Sequence, residues 1–229
     1  MKSNITPKAV LFDAYGTLLD VYSIGKLAEE LFPTQGASLA VMWRDKQIEY
    51  TRLVTTSNDG AFYQDFWALT RASLRYVCKR LKLDLSAASE EALMQQYRLL
   101  EAFPENIRVL EALKVKGIPT GILSNGSPEM LNAAVAHAKM DGLLDHVLSV
   151  DALRQYKTSP KAYAMGPAAM QLPASYILFV SCNAWDALAA TWFGYQTFWV
   201  NRAGLPFEEL GTEPTHTGKT LDDLLTLFN

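Results

Sequence analysis

The sequence predicts an α/β fold, in which a doubly wound parallel sheet carries an inserted helical cap subdomain. Short apolar runs alternate with helical patterns along much of the 229 residues, as in parallel sheets that helices cover on both faces. One long segment between the first two strands shows helical patterns only. These observations divide the chain into an α/β core, residues 1–20 and 101–229, and a helical cap, residues 21–100.

The predicted strands and helices of the core come in alternation. Five runs have the length and composition of buried strands, at 9–12, 118–123, 146–149, 176–180 and 196–200. Helical patterns lie at 106–116, 128–138, 160–170 and 184–193, with a last helix near 221–228. This order is typical of a Rossmann-like core.

The cap is predicted from residues 22–100, where apolar side chains recur at spacings of three and four. Turn-forming segments at 32–36, 57–60 and 84–86 separate its helices. We interpret Trp43, Phe62, Phe66 and Trp67 as the core of this bundle. The cap is expected to lie over the carboxyl ends of the strands, where open α/β sheets bind ligands.

Composition limits the classes of function. Hydrophobic residues make up 49% and charged residues 20% of the chain, which is ordinary for a globular protein. A net charge of −3 without a dense Lys/Arg run argues against nucleic-acid binding, and no apolar stretch approaches the ~18 residues of a membrane span. The first residues lead directly into the first strand and leave no room for a signal peptide. With only two cysteines, we expect a cytoplasmic location.

Four strand ends bring polar side chains to one edge of the predicted sheet. Asp13, after the first strand, is a candidate nucleophile. Ser124 and the serine that follows it lie just before a predicted helix, where they could bind an anion. Each feature has a structural alternative. Asp13 could be a turn residue, Ser124 and Asn183 could cap helices, and Lys157 could be an exposed charge. The coincidence of four such ends favours a site, and its residues are Asp13, Thr17, Ser124, Asn125, Lys157, Ser181, Asn183 and Asp186.

The order of these residues resembles a known family. Asp13-x-Tyr15-Gly-Thr17, Ser124-Asn125-Gly126, Lys157 and Ser181-x-Asn183-x-x-Asp186 together resemble the haloacid dehalogenase superfamily, and more narrowly the L-2-haloacid dehalogenases. Within the cap, the segment Trp43-Arg44-x-Lys46-Gln47-x-Glu49-Tyr50 resembles the family segment whose arginine meets the halogen. Tyr163 also falls at a position that the family uses. One departure is Lys157-Thr158, where the family commonly has Lys-Pro.

The resemblance implies hydrolysis of short (S)-2-haloacids, such as haloacetates and 2-halopropionates, with inversion and through an ester on Asp13. Lys157 is expected to keep Asp13 ionised, because a nearby opposite charge favours the charged form. Water would then attack the ester carbonyl carbon. Asp186, oriented by Ser181 and Asn183, is the candidate that positions or deprotonates that water.

The same resemblance implies which residues bind the substrate. Ser124, with backbone N–H groups of Ala14, Tyr15 or Asn125, is expected to bind the carboxylate, while Arg44 and the Asn125 amide meet the departing halide. Two further residues, Thr17 and Tyr163, are expected to hold Asp13 and the substrate side. The expected apolar walls are Tyr15, Ile48, Phe62 and Trp185.

We expect neither a metal nor a cofactor. A phosphatase of this superfamily has an acidic residue two positions after the nucleophile and another after the fourth strand, where it helps to hold Mg²⁺. Here those places hold Tyr15 and the neutral run Ser181-Cys182-Asn183. The expected partners are a halogenated carboxylate and water, with a homodimer expected from the family alone. Two alternatives stay open: a Mg²⁺-dependent phosphatase or phosphonate hydrolase of the same superfamily, and a non-catalytic binding protein with this fold.

Overall fold

Six parallel strands form one sheet in the computed structural model, which describes residues 6–228. Along the chain they are β1 (Ala9–Phe12), β2 (Thr120–Ser124), β3 (His146–Ser149), β4 (Ile177–Ser181), β5 (Gln196–Val200) and β6 (His216–Gly218). Their spatial order is β3-β2-β1-β4-β5-β6, so strand addition changes direction beside β1. Ligands of such sheets bind at this switch point, beyond the carboxyl ends of the strands. Asp13, which directly follows β1, lies there.

Burial on both faces explains the composition of the central strands. Every residue of β1, β2, β4 and β5 is buried, as is typical of parallel sheets that helices cover. All five predicted strands are confirmed, although β2 and β4 are displaced along the chain by one or two residues. The prediction missed β6, because this three-residue edge strand has no buried side chain and no apolar run.

The segment between β1 and β2 is helical, as predicted. It contains α1 (Gly25–Leu31), α2 (Gly36–Thr56), α3 (Phe66–Arg80) and α4 (Ala87–Arg98), and no strand lies within residues 22–100. The long helix α2 packs against both α1 and α3. Trp43 and Phe66 are fully buried between these helices and Trp67 is half-buried, so these three belong to the bundle core.

Phe62 differs from its prediction, because its side chain is 65% exposed. It therefore lies outside the bundle core. The cause is local: residues 57–60 form a short 3₁₀ turn in which Asn58 and Asp59 take φ of 48° and 50°. This left-handed backbone interrupts the helical repeat, so the three-and-four spacing that relates Phe62 to Phe66 in the sequence does not hold in space.

The remaining helices cover the sheet. They are α5 (Asn106–Val115), α6 (Pro128–His137), α7 (Pro160–Met170) and α8 (Ala184–Phe193), and a 3₁₀ helix spans Leu221–Phe228. Ser127 caps α6 by accepting a hydrogen bond from the Met130 backbone N–H at 3.4 Å, and proline occupies the first turns of α6 and α7. None of the helices within residues 6–228 is long and apolar enough to cross a membrane.

The two connections between the sheet and the helical segment run side by side. Leu19 forms an antiparallel bridge with Ala102, and the Asn106 side chain donates to the Leu18 carbonyl oxygen at 2.5 Å. This junction supports the proposed division into a core, residues 1–20 and 101–229, and a cap, residues 21–100. Residues 1–5 and 229 lie outside the described part of the chain, including the start from which the absence of a signal peptide was predicted.

Candidate active site

The polar residues that follow the strands converge at the switch point of the sheet. Phe12 of β1 lies in register with Ile122 of β2 and Val180 of β4, so the residues after these three strands come out at the same level. Asp13 follows β1 directly, while Ser124 and Ser181 are the last residues of β2 and β4. The loop after β3 supplies a cation to this edge, Lys157.

Asp13 is held on both carboxylate oxygens. Lys157 Nζ donates to Oδ1 at 2.9 Å, while Thr17 Oγ1 and Asn183 Nδ2 donate to Oδ2 at 3.0 and 2.9 Å. The Asp13 residue is only 5% exposed. Three hydrogen bonds on two oxygens, one of them from an ammonium group, limit the rotation of this carboxylate. The site thus presents an oriented anion next to a buried cation.

Lys157 contacts a second carboxylate, that of Asp186. Its Nζ donates to Asp186 Oδ2 at 2.9 Å. Burial lowers the pKa of Lys157, but the charges of Asp13 and Asp186 outweigh burial, and the net pKa is raised. Burial raises the pKa of Asp186, and the opposing effect of Lys157 does not cancel it. One ammonium group therefore lies between two carboxylates in the interior of the protein.

The orientation of Asp186 differs in one respect from the expectation. Ser181 Oγ donates to Oδ2 at 3.1 Å, as expected, but Tyr163 OH donates to Oδ1 at 2.7 Å. Asn183 donates instead to Asp13, and Tyr163 contacts Asp186 and not Asp13. The cause is the start of α8: Asn183 is its N-cap residue and Asp186 lies one turn later, so the two side chains point to different parts of the site.

Arg44 reaches the site from the cap helix α2. Its guanidinium group donates from Nη2 to the Tyr15 carbonyl oxygen at 2.9 Å and to Asn183 Oδ1 at 3.4 Å, and from Nη1 to Gln47 Oε1 at 2.8 Å. The Arg44 residue is 7% exposed. Asn183 therefore links two charged groups, since its oxygen accepts from Arg44 and its nitrogen donates to Asp13.

The loop after β2 offers hydrogen-bond donors to an anion. Ser124 Oγ accepts from the Gly126 backbone N–H at 3.1 Å, and Asn125 Oδ1 accepts from the Lys157 backbone N–H at 2.9 Å. Among the hydrogen bonds of residues 6–228, none uses the backbone N–H of Ala14, Tyr15 or Asn125. Free N–H groups at the ends of neighbouring strands, one of them before a helix, form a natural place for a carboxylate.

Aromatic and aliphatic side chains enclose the site on the cap side. The Tyr15 ring lies 5.3 Å from Phe66 and 5.7 Å from Tyr97, measured between ring centroids, and burial raises the pKa of its phenol. Ile48 and Trp185 line a cavity of about 400 Å³, whose lining also includes Arg44, Asp45, Glu49 and Arg52. Arg44 therefore borders an opening on the cap side of the site.

Gln47 and Tyr97 contact each other and the site residue Arg44 through Gln47 Oε1, although the sequence alone indicated no role for either. Gln47 Oε1 accepts hydrogen bonds from Arg44 and from Tyr97 OH, the latter at 3.0 Å. Gln47 follows Arg44 by three residues and therefore lies on the same face of α2. That spacing, together with a predicted apolar environment, was the available signal for Gln47. No comparable signal in the sequence relates Tyr97 to Arg44.

Comparison with known proteins gives one consistent result. A family model described as haloacid dehalogenase-like hydrolase matches residues 7–194. The (S)-2-haloacid dehalogenase of Pseudomonas sp. (strain YL) is 42% identical over 96% of this chain and 94% of its own length. A crystal structure of an L-2-haloacid dehalogenase is 53% identical, with a TM-score of 0.95 over 97% of this chain and 99% of that chain. The L-2-haloacid dehalogenase of Xanthobacter autotrophicus, solved with chloropropionic acid covalently bound, is 32% identical, with a TM-score of 0.88 over 96% of this chain and 98% of its own.

Proposed function

We propose, from the premise that this chain belongs to the haloacid dehalogenase-like hydrolase family, that it is an (S)-2-haloacid dehalogenase. It converts short (S)-2-haloacids into 2-hydroxy acids and halide. The proposal is carried by two buried groups of unlike surroundings. Asp13 is a carboxylate that a lysine holds in place, and Arg44 is a cation that forms no ion pair within residues 6–228. The first suits a nucleophile and the second suits a departing anion.

In the first half of the reaction, a carboxylate oxygen of Asp13 attacks the carbon that carries the halogen. A carbon–oxygen bond forms while the carbon–halogen bond breaks, and the halide leaves with the electron pair. No proton is needed, because halide is a stable anion. Attack opposite to the leaving group inverts the carbon. Lys157 supports this step because it keeps the charge of Asp13 compensated as an anionic substrate approaches.

The charge that develops on the halogen is met by Arg44. Its guanidinium group is buried and held over the Tyr15 carbonyl oxygen at 2.9 Å. A fixed cation lowers the barrier when it interacts more strongly with the transition state than with the uncharged halogen of the bound substrate. The substrate carboxylate would be bound by Ser124 and by the free N–H groups of Tyr15 and Asn125, which keeps it apart from Asp13.

In the second half, water attacks the carbonyl carbon of the Asp13 ester. The bond between that carbon and the substrate oxygen breaks. That oxygen takes up one of the two protons of water and leaves as the hydroxyl group of the 2-hydroxy acid, while the other proton is lost to solvent and the carboxylate is restored. Asp186 is our candidate for accepting the water proton, because Lys157 contacts both Asp186 and Asp13. Ser181 and Tyr163 hold Asp186 in a single orientation, and Thr17 with Asn183 holds Oδ2 of Asp13.

This chemistry does not require a metal ion. The positive charge between the two carboxylates is supplied by Lys157 Nζ, at 2.9 Å from each. A divalent cation at that position would have to displace the ammonium group. The positions that carry acidic residues in the phosphatases of the superfamily hold Tyr15 and Ser181-Cys182-Asn183 here. We therefore propose that the reaction is independent of metal.

The size of the substrate is limited by the walls near Arg44. Ile48 and Trp185 line the cavity that reaches this residue, and the ring of Tyr15 is packed against Phe66. Large rings and packed side chains do not move aside without cost. Haloacetates and 2-halopropionates fit this enclosure better than acids with long alkyl chains.

The test is a measurement of halide release from chloroacetate and from each enantiomer of 2-chloropropionate, with a chelator present. The expected result is release from chloroacetate and the (S)-enantiomer, formation of (R)-lactate and no consumption of the (R)-enantiomer. Absence of halide release, together with Mg²⁺-dependent release of phosphate from small phosphoesters, would replace this proposal by a phosphatase.

Two further parts of the proposal concern the state of the protein. Both cysteines, Cys78 and Cys182, are free, which suits a reducing compartment, so we propose a cytoplasmic location. We also propose a homodimer, on the strength of the family resemblance. Light scattering of the purified protein distinguishes a dimer from a monomer.

A further inference from the structure

We propose that Gln47 is a positioning residue for Arg44, which holds the guanidinium group in place and leaves its positive charge free for the departing halide. This inference rests on the proposed function, because it assigns Arg44 to the halide. It adds a residue that has no contact with the reacting atoms. Gln47 is a neutral acceptor at this position, whereas a carboxylate of the same shape would carry a negative charge.

Gln47 is fully buried, and each end of its amide has a partner. Its Oε1 accepts from Arg44 Nη1 at 2.8 Å and from Tyr97 OH at 3.0 Å, and its Nε2 donates to Thr70 Oγ1 at 2.6 Å. Thr70 in turn donates to the Phe66 carbonyl oxygen at 2.6 Å. The amide group is therefore anchored to α3 through Nε2 and to α4 through Oε1, and its oxygen sets the direction of the Arg44 guanidinium group.

The other acceptors of Arg44 are neutral as well. They are the carbonyl oxygen of Tyr15 and the side-chain oxygen of Asn183. Two other arginines of the chain with partly buried side chains contrast with it: Arg202 pairs with Glu105 at 2.8 Å, and Arg71 pairs with Glu90 at 2.7 Å. Within residues 6–228, Arg44 is a buried arginine whose hydrogen bonds all end on uncharged oxygens.

A neutral acceptor matters because the halide must compete for the guanidinium group. A carboxylate adds the attraction of an opposite charge to its hydrogen bonds with arginine, and a buried pair of this kind is hard to separate. A carboxylate at the place of Gln47 Oε1 would satisfy Arg44 permanently. The charge would then no longer be available to an anion that appears only in the transition state.

The test compares two substitutions of nearly equal size, Gln47→Glu and Gln47→Met. Glutamate keeps an acceptor for Arg44 and Tyr97 but adds a charge, whereas methionine removes the acceptor and adds none. We expect Gln47→Glu to lower kcat by about 100-fold or more, the effect of losing one strong transition-state donor. We expect Gln47→Met to lower kcat by less than about 10-fold, because Arg44 loses one tether and keeps its free charge.

A purely structural role for Gln47 predicts the opposite order. The glutamate variant keeps more of the hydrogen bonds and should then be the more active of the two. That order would overturn the proposal. Inhibition by bromide is the second readout, since a halide that binds at Arg44 should inhibit the wild type and the methionine variant but not the glutamate variant. Equal inhibition of all three proteins would also contradict the proposal.

Two controls complete the experiment. Gln95→Glu places the same charge on an exposed position of α4, and it should leave kcat and bromide inhibition unchanged. Crystals of each variant soaked in bromide show by anomalous scattering whether the ion lies beside Arg44, and this readout needs neither activity nor a high stability in solution. Bromide at Arg44 in a wild type that releases no halide would defeat the proposed function and keep this inference, whereas an active enzyme with no bromide there would defeat the inference alone.

Discussion

Replacing Lys157 with methionine removes the only charge that separates two buried carboxylates in the described site. The side chain of Lys157 is 1% exposed, and those of Asp13 and Asp186 are 7% and 0% exposed. Because Nζ lies 2.9 Å from an oxygen of each, the two carboxylates are about 6 Å apart at most. Without the ammonium group they repel each other in a medium of low dielectric constant.

The expected loss of stability follows from these contacts. Breaking a buried ion pair costs about 3–5 kcal/mol, because it leaves an uncompensated buried charge. For a chain of this size, 1 kcal/mol corresponds to roughly 2–4 °C in Tm, so Tm at pH 8 should fall by roughly 6–20 °C. Turnover should be lost at any pH, because the approach of an anionic substrate to Asp13 is no longer compensated.

The loss of stability in the Lys157→Met variant should depend on pH. In the variant, the pKa of Asp186, already raised by burial, rises further because Lys157, which opposes that rise in the wild type, is gone. A group whose pKa is higher in the folded state contributes stability at low pH and loses that contribution as the pH rises through its folded pKa. The difference in Tm between the wild type and the variant should therefore be smaller at pH 5 than at pH 8. Lys157 itself, whose pKa is raised above its usual 10.5, stays charged over this range in the wild type.

Calorimetry at the two pH values measures the effect. Arg98→Met is a suitable control, because Arg98 pairs with Glu129 at an exposed position, where ion pairs contribute little. A Tm difference for Lys157→Met that is the same at pH 5 and pH 8, or no larger than that of the control, would refute the argument from charge.

Three other predictions follow from the proposed mechanism. Asp13→Asn should abolish halide release with little change in Tm, since an amide is a poor nucleophile, and mass measurement excludes deamidation back to aspartate. Arg44→Lys should lose about 100-fold or more in kcat although the charge is kept, because lysine does not reproduce the fixed fork of guanidinium donors; near-normal turnover would remove Arg44 from the halide site. A single turnover with enzyme in excess in ¹⁸O-water should give unlabelled 2-hydroxy acid and place the label on the peptide that contains Asp13, whereas labelled product would mean that an activated water attacks the substrate directly.

The architecture was predictable because its signals are local and strong. The strands β1, β2, β4 and β5 are short and mainly apolar, as burial on both faces of a parallel sheet favours. The positions of Asp13, Ser124 and Ser181 follow from this, since parallel strands bring their carboxyl ends to one edge. The edge strand β6 escaped prediction because nothing in its three residues distinguishes it from a loop.

The finer contacts of the site were not predictable from spacing. Asn183 and Tyr163 were both expected near the reaction, yet which carboxylate each would contact depends on side-chain direction at the start of α8 and on α7. Phe62 shows the other limit. Its helical spacing to Phe66 is correct in the sequence, but three residues with positive φ, Asn58, Asp59 and Gly60, lie between α2 and α3 and change the direction of the chain.

The two buried cations of the site have opposite surroundings, and this difference separates their roles. Lys157 is shared between Asp13 and Asp186, so its charge is already compensated and serves to keep two anions close together. Arg44 contacts only neutral oxygens, those of Gln47, Tyr15 and Asn183, so its charge is compensated only when an anion arrives. If the two were exchanged, a free ammonium group would offer the halide no fixed geometry, and a paired guanidinium group would offer it no charge. A reaction that consumes one anion at Asp13 and creates another at the halogen needs one cation of each kind.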